Sequence, residues 1–248
     1  MSNLIMAELW GMVRNKKCYV VLGVSLWVYI FVGAAIANPD MLILSGTNVN
    51  IVSYFGIMLQ ISEALFLGVG LSVYYAASVL NKQIENGQIW YYKSYTLGKL
   101  YFAKTLNVII VFGTYWFLNL VNLSIAYYVF FTKQYPEVFV NMVGEVTNWD
   151  VVFIGVMLVQ QIVQLLVGYI VSIEFGATYG ILAALGYCLL GKVSDKFRMI
   201  KWLFPINYLN LDMEMSFQFY VMMIIGFMVF IFVLLCLGYL VLRIKMKK

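Results

Sequence analysis

Long apolar runs alternate with short polar loops along this chain. Stretches with no formal charge, or with one, cover Cys18–Ala37, Ile51–Leu80, Thr105–Thr132, Val151–Ile173, Phe175–Gly191 and Met215–Leu242, together more than half of the 248 residues. A helix crossing a bilayer needs about 20 apolar residues, with a usable range of roughly 17–25 and more when tilted. Five of the stretches meet that length comfortably, and the 17-residue Phe175–Gly191 sits at the lower limit. The pattern predicts an all-α membrane protein of one transmembrane domain, residues 1–248, with six transmembrane helices at about 18–37, 51–80, 100–131, 151–173, 175–191 and 217–242.

Two of these helices are too long for a bilayer. As a helix, Ile51–Leu80 measures about 45 Å against a hydrocarbon core of roughly 30 Å, so it must tilt or project. The third, extended back through Lys104 to Leu100, has the same excess, and the pair forms a stalk around one polar loop. Ahead of the first span, residues 3–14 have helical spacing, with Ile5, Leu9, Met12 and Val13 on one face and Asn3, Glu8 and Arg14 away from it. Flanking lysines and Trp10 suit an interfacial helix. Val193, Phe197, Ile200 and Phe204 repeat in the same way, predicting an outer amphipathic helix before the last span that stops at Phe204-Pro205.

Composition sharpens the class. Apolar residues make up 64% and charged residues 11%, with mean hydropathy +0.91, far from the roughly 25% charged of soluble domains. Histidine is absent, which removes His-based nucleophile systems, His-ligated metal and histidine proton relays. Cys18, Cys188 and Cys236 form no CxxC and read as small buried hydrophobes. No catalytic residues and no metal ligands are expected. Gly186, Gly191 and Lys192 reproduce GxxxxGK, but Val193 stands where a phosphate-binding loop needs Ser or Thr, and no strand precedes it; no nucleotide or other cofactor is expected on this chain.

Charge sets the orientation. With the N-terminus inside and six alternating spans, the cytoplasmic side holds Arg14, Lys16, Lys17, Lys82, Lys93, Lys99, Lys104, Arg243, Lys245, Lys247 and Lys248, eleven of the 16 basic residues. The asymmetry follows the positive-inside rule, with both termini cytoplasmic. Ala35-x-Ala37 resembles a signal-peptide cleavage site, yet the apolar run exceeds the usual 7–15 residues of a signal core, so the first span is retained. The basic residues cluster beside spans, and no nucleic-acid partner is needed to explain them.

The most informative loop is Asn81–Lys104. It has a polar start with Glu85, a break at Asn86-Gly87, an apolar-aromatic run from Ile89 through Trp90, Tyr91 and Tyr92, then Lys93, Lys99 and Lys104. Glu85-x-Gly87 followed by Ile89, with Lys99 and Lys104 leading into the next span, resembles the cytoplasmic loop between the second and third spans of the ABC-2 family of exporter permeases. Gln88 replaces the family's usual Thr, and Tyr95-Thr96-Leu97 lacks its usual Pro. Phe204-Pro205-Ile206-Asn207-Tyr208-Leu209 is similar to the family's Pro-Leu-Asn-Tyr stretch before the last span. The resemblance covers nearly the whole chain. It implies an ATPase-coupling helix near residues 83–93, with Glu85, Gly87, Ile89, Trp90, Tyr91, Tyr92 and Lys93 as its contact residues, and an outer gate at Phe204, Pro205 and Asn207. It further implies two copies of a separate ABC ATPase holding ATP and Mg, a second permease subunit (a copy or a related chain), and a bacterial plasma membrane. The expected cargo is amphipathic or hydrophobic, such as antimicrobial or toxic peptides, or drugs. As an alternative for these aromatics, Trp and Tyr beside lysines also form ordinary interfacial belts.

Polar residues inside the spans complete the picture. An ionised carboxylate at bilayer centre costs at least about 2.5–3.5 kcal/mol, so Glu63, beside Gln60 and Ser62, is expected to face protein or a water-filled path. Gln160 and Gln164 share a face of the fourth span, and with Glu63 and Gln60 they are the candidate translocation path. A proton-coupled carrier working through Glu63 is the alternative function. Asn119 and Asn122, and Gln161, are expected to hydrogen-bond between helices. Glu174 lies at the tight turn after the fourth span, and Gly176, Gly180 and Ala184 form a small-residue ladder for close helix approach, internal or between subunits.

Overall fold

The computed structural model describes residues 2–37, 49–87, 95–136, 139, 148–196, 203–210 and 217–247. Helix α1 (Ser2–Arg14) leads into α2 (Lys16–Ala37), α3 (Ile51–Leu65), α4 (Leu67–Val79) and the one-turn α5 (Asn81–Glu85). Then follow α6 (Leu97–Gln134), α7 (Asn148–Phe175), α8 (Ala177–Val193) and α9 (Phe217–Lys245). Among the described residues the only extended pairing is an isolated bridge between Val49 and Phe139.

The fold is all-helical. Among the described residues, four helical stretches are long and apolar enough to cross a membrane: Lys16–Ala37, Leu97–Gln134, Val151–Phe175 and Met223–Lys245. The bent pair Ile51–Leu65 and Leu67–Glu85 raises the number to five if it counts as one span. Helix α8 is apolar but has 17 residues, about 26 Å at helical rise. Among the described residues the number of membrane-length helices is therefore four or five, where six spans were expected.

The second expected span is not one straight rod. Helix α3 ends at Leu65, Phe66 takes a left-handed conformation (φ 55°), and α4 starts with the axis turned by 53°. Such a φ costs a bulky residue of order 1 kcal/mol or more. Close packing holds the bend in place. Gly68 lies directly on the Tyr115 hydroxyl of α6, and a Cβ on Gly70 would sit 3.1 Å from the Phe66 ring. The approach at Gly68 leaves no room for a Cβ, and a Cβ at Gly70 would press on the Phe66 ring.

Helix α1 also departs from expectation. Leu4 and Glu8 face inward, while Met6, Trp10 and Val13 are exposed. Its apolar outer stripe suits a membrane interface, but a carboxylate occupies its inner face because a lysine waits there, as described below. The turn between α7 and α8 is the single residue Gly176, whose φ of 91° favours glycine; Glu174 belongs to the last turn of α7 and not to the connection. The expected outer helix is only partly within the described residues. Val193 ends α8, Ser194–Lys196 make a 3-10 turn, residues 197–202 lie outside the described residues, and Pro205–Asn210 form a second 3-10 segment.

Helix α7 is the hub, packing against α3, α4, α8 and α9. Its partner α8 approaches very closely: a Cβ on Gly180 would lie 2.6 Å from the Gly168 carbonyl oxygen, and one on Gly168 would lie 2.7 Å from Val73 of α4. Within this subunit the ladder Gly176, Gly180, Ala184 is thus an internal contact, with Gly168 as its unforeseen counterpart. Polar ties add to it, with Trp27 Nε1 donating to Asn119 Oδ1 (3.0 Å) and Trp116 Nε1 to Gln161 Oε1 (2.9 Å). Asn122 Nδ2 donates to the Ser25 hydroxyl (3.1 Å). Cys18 and Cys188 are buried, whereas Cys236 is exposed on α9, contrary to its reading as a buried hydrophobe.

Overpacking a close crossing costs about 1–3 kcal/mol. Gly180→Ala is expected to lower the thermal midpoint of the purified protein by several degrees. Gly186→Ala, on the same helix with nothing within 4 Å of its added Cβ, is expected to leave it unchanged or slightly higher.

Candidate functional site

The described residues contain two polar centres, one around α5 and one further along α3, α7 and α8. The first surrounds α5, the root of the Asn81–Lys104 loop. Lys104 of α6, fully buried, donates from Nζ to Glu8 Oε1 of α1 (2.7 Å) and to Gln83 Oε1 of α5 (2.7 Å). Asn107 Nδ2, one turn along α6, donates to the Glu8 carbonyl (2.9 Å), and Tyr75 of α4 donates to Asn107 Oδ1 (2.6 Å). One ammonium thereby joins three helices.

On the other side of α5, Asn81 Nδ2 donates to Glu85 Oε1 (2.8 Å), and Asn81 Oδ1 accepts from Lys245 Nζ of α9 (2.6 Å). Lys245 also donates to the carbonyls of Ile173 and Glu174 at the end of α7, where unpaired C=O groups and the helix dipole favour a cation. Beside this cluster Lys17 lies over the Tyr74 ring, 4.4 Å from its centroid. Both chain ends, the loop root and the Gly176 turn therefore share one end of the bundle. Gly87 closes α5 with φ 68°, its N–H donating to the Ile84 carbonyl (3.0 Å).

The second centre is a cavity of about 380 Å³ lined by Gln60, Ile61, Glu63, Ala64, Lys192 and Ile206. Glu63, 4% exposed, accepts from Gln164 Nε2 (3.1 Å), with Cys188 Sγ at 3.8 Å. The Gln160 amide lies beside the same carboxylate. It is fully buried, and neither its oxygen nor its nitrogen makes a hydrogen bond among the described residues; the same is true of Gln164 Oε1. Beside the cavity, Asn207 Nδ2 donates to Ser194 Oγ (2.6 Å), and the Phe204 and Tyr187 rings pack at a tilt with centroids 4.8 Å apart. Among the described residues no cluster of His, Cys, Asp or Glu could hold a metal ion.

The structure brings Gln60, Glu63, Gln160 and Gln164 together. Phe204, Pro205 and Asn207 are buried next to them, with Ile206, not the three expected gate residues, lining the cavity. Glu85 and Gly87 lie at the loop root, and α5 ends at Glu85 before Gly87, so no single helix runs from residue 83 through Gly87. Ile89, Trp90, Tyr91, Tyr92 and Lys93 lie outside the described residues. Two neighbours of Glu63 went unforeseen, Cys188, which contacts it, and Lys192, which lines the cavity with it. They stand four apart on α8 and so share a face, the signal that would have paired them. Glu8 was likewise missed, since nothing local marks it as inward-facing.

Removing one member of a buried ion pair strands the other and costs about 3–5 kcal/mol, whereas replacing both with apolar groups is often neutral. Lys104→Met and Glu8→Leu are each expected to destabilise the protein strongly in a thermal unfolding assay. The double variant is expected to recover most of the loss, giving a large coupling energy in the double-mutant cycle.

Compared with family models, curated proteins and solved structures, the chain matches none of them.

Proposed function

We propose that this chain is the membrane-spanning permease subunit of an ATP-driven ABC exporter, working with two copies of a separate ATPase and a second permease subunit. It is not itself an enzyme; ATP and Mg belong to the ATPase. The observation that carries this proposal is the anchoring of α5. Its Asn81 and Gln83 are bonded to Lys245 and Lys104, so the loop bearing Glu85-x-Gly87 rises from a base tied to α1, α6, α7 and α9. A pump without its own nucleotide site needs such a stiff contact, because a force applied to a slack loop moves nothing beyond it. A short helix seated in a partner's groove is an economical way to make that contact.

In this scheme the loop end faces the cytoplasm, with both termini there, and the protein is multi-pass in a bacterial plasma membrane. The end that carries Lys17, Lys104 and Lys245 is the basic one, in keeping with the positive-inside rule. Six crossings follow if the bent α3–α4 pair counts as one and the short α8 crosses a locally thinned bilayer. The Glu63 cavity is a segment of the path for an amphipathic or hydrophobic cargo leaving the cell. A second reading, a proton-coupled carrier using Glu63, draws support from the helix break three residues beyond that carboxylate, since interrupted helices flank substrate sites in many carriers.

Co-purification with a co-expressed ATPase subunit tests the proposal. ATP turnover stimulated by cargo is expected only in the complex, and Glu85→Ala or Gly87→Pro is expected to reduce that stimulation at least several-fold with membrane insertion intact. Uptake driven by a pH gradient in vesicles holding this chain alone would establish the carrier instead.

A further inference from the structure

We propose that the cleft between α2, α4, α5 and the start of α8 binds a membrane lipid through a zwitterionic headgroup of the phosphoethanolamine type. The cleft has a volume of about 160 Å³, and its lining includes Lys17, Tyr74, Ser78, Asn81, Glu85 and Gly176. Its place in the fold makes it interfacial. Lys17 stands at the start of the membrane-length helix α2, Asn81 and Glu85 in the short turn that ends the α3–α5 stretch, and Gly176 at the turn into α8. Ends of membrane-length helices lie at headgroup depth, and basic pockets between such helices hold lipid headgroups. Val20, one turn beyond Lys17 and on its face, is exposed, as is Tyr74. They give the acyl chains an apolar surface beside the cleft.

The charges of the lining select the headgroup. Lys17 and Glu85 carry opposite charges, yet neither forms an ion pair among the described residues. Lys17 Nζ rests over the Tyr74 ring, 4.4 Å from its centroid, and makes no hydrogen bond among the described residues. Its N–H donors are therefore unspent. Asn81 is buried, and its Nδ2 uses one of two N–H donors on Glu85 Oε1 (2.8 Å). Phosphate oxygens match these donors.

The same cleft offers acceptors. Glu85 takes the Asn81 donor on Oε1, and its second oxygen accepts from no described residue. Ser78 Oγ donates to the Tyr75 carbonyl (2.7 Å) and keeps acceptor capacity of its own. A primary ammonium, with three N–H donors, matches this second set. A purely anionic headgroup would meet the Glu85 carboxylate with nothing to offset it. A quaternary ammonium has the charge without the donors, and its methyl groups add bulk. The volume corresponds to about five waters at about 30 Å³ each, the scale of a phosphate, two carbons and an ammonium. The inference requires a membrane and no ATPase, so it stands apart from the exporter reading.

The test uses the full-length chain in detergent, stripped of lipid, with dihexanoyl-phosphatidylethanolamine as the probe near neutral pH. The choline and glycerol phospholipids with the same chains are the controls, and free phosphoethanolamine separates a lipid from a soluble headgroup. Saturable thermal stabilisation by the ethanolamine lipid is expected. Its half-saturation should lie about ten-fold or more below that of each control and of the free headgroup, the scale of one charge-assisted hydrogen bond. Lys17→Gln, at a partly exposed position, is expected to weaken binding of the ethanolamine lipid by a similar factor. Glu85→Gln, which keeps an acceptor for Asn81, is expected to erase the preference over the choline lipid. Equal binding of either control lipid, an unchanged preference in Glu85→Gln, or full binding in a folded Lys17→Gln would overturn the inference. Equal affinity for free phosphoethanolamine would overturn the assignment to a lipid.

Discussion

The fold depends on an ion pair taken out of water. Lys104 is fully buried and Glu8 nearly so, and burying two charges costs several kcal/mol per ion before their attraction offsets it. The surroundings supply what the pair alone cannot. Gln83 takes a second Lys104 proton, and the Glu8 backbone carbonyl accepts from Asn107, itself bonded by Tyr75. With each partner so satisfied, the amphipathic N-terminal helix is clipped to the bundle instead of drifting on its surface. The root of the long loop is fixed by the same ammonium.

Polarity serves another purpose around Glu63. The carboxylate is held by Gln164 and lines a space of about 380 Å³ together with Lys192, while the Gln160 amide and Gln164 Oε1 are buried without a hydrogen bond among the described residues. The Lys104 ammonium is bonded to Glu8 and Gln83, whereas the Glu63 centre leaves buried amide atoms unbonded. Satisfied networks rigidify a structure, and partly satisfied ones are high in energy.

Much of the helical frame was legible in the sequence, because uncharged runs of membrane length admit few other structures. The ladder Gly176, Gly180, Ala184 was visible too, though its counterpart Gly168 was not, since one helix does not reveal which face of another it will meet. The inward turn of Glu8 depends on a lysine 96 positions away and leaves no local trace. The bend at Phe66 lies in Leu65-Phe66-Leu67, a sequence that fits an unbroken helix as well as a broken one. Only Gly68 and Gly70 hint at the close approach of Tyr115 and of the Phe66 ring beside the bend. Gln60, Glu63, Gln160 and Gln164 stood out as costly polar groups in apolar runs, whereas Lys192 lies just past a 17-residue apolar run and nothing local ties it to the Glu63 cavity.

The neighbouring helices α4 and α6 differ in one mechanical respect. Helix α6 runs 38 residues as one continuous stretch, with a π-helical segment at Tyr127–Phe131, about 57 Å, so it behaves as a pushrod. Beside it, α3 and α4 meet at a joint three residues past Glu63. A thrust delivered at α5 would travel the pushrod unchanged but be converted at the joint into a swing, with Glu63 riding on the swinging arm.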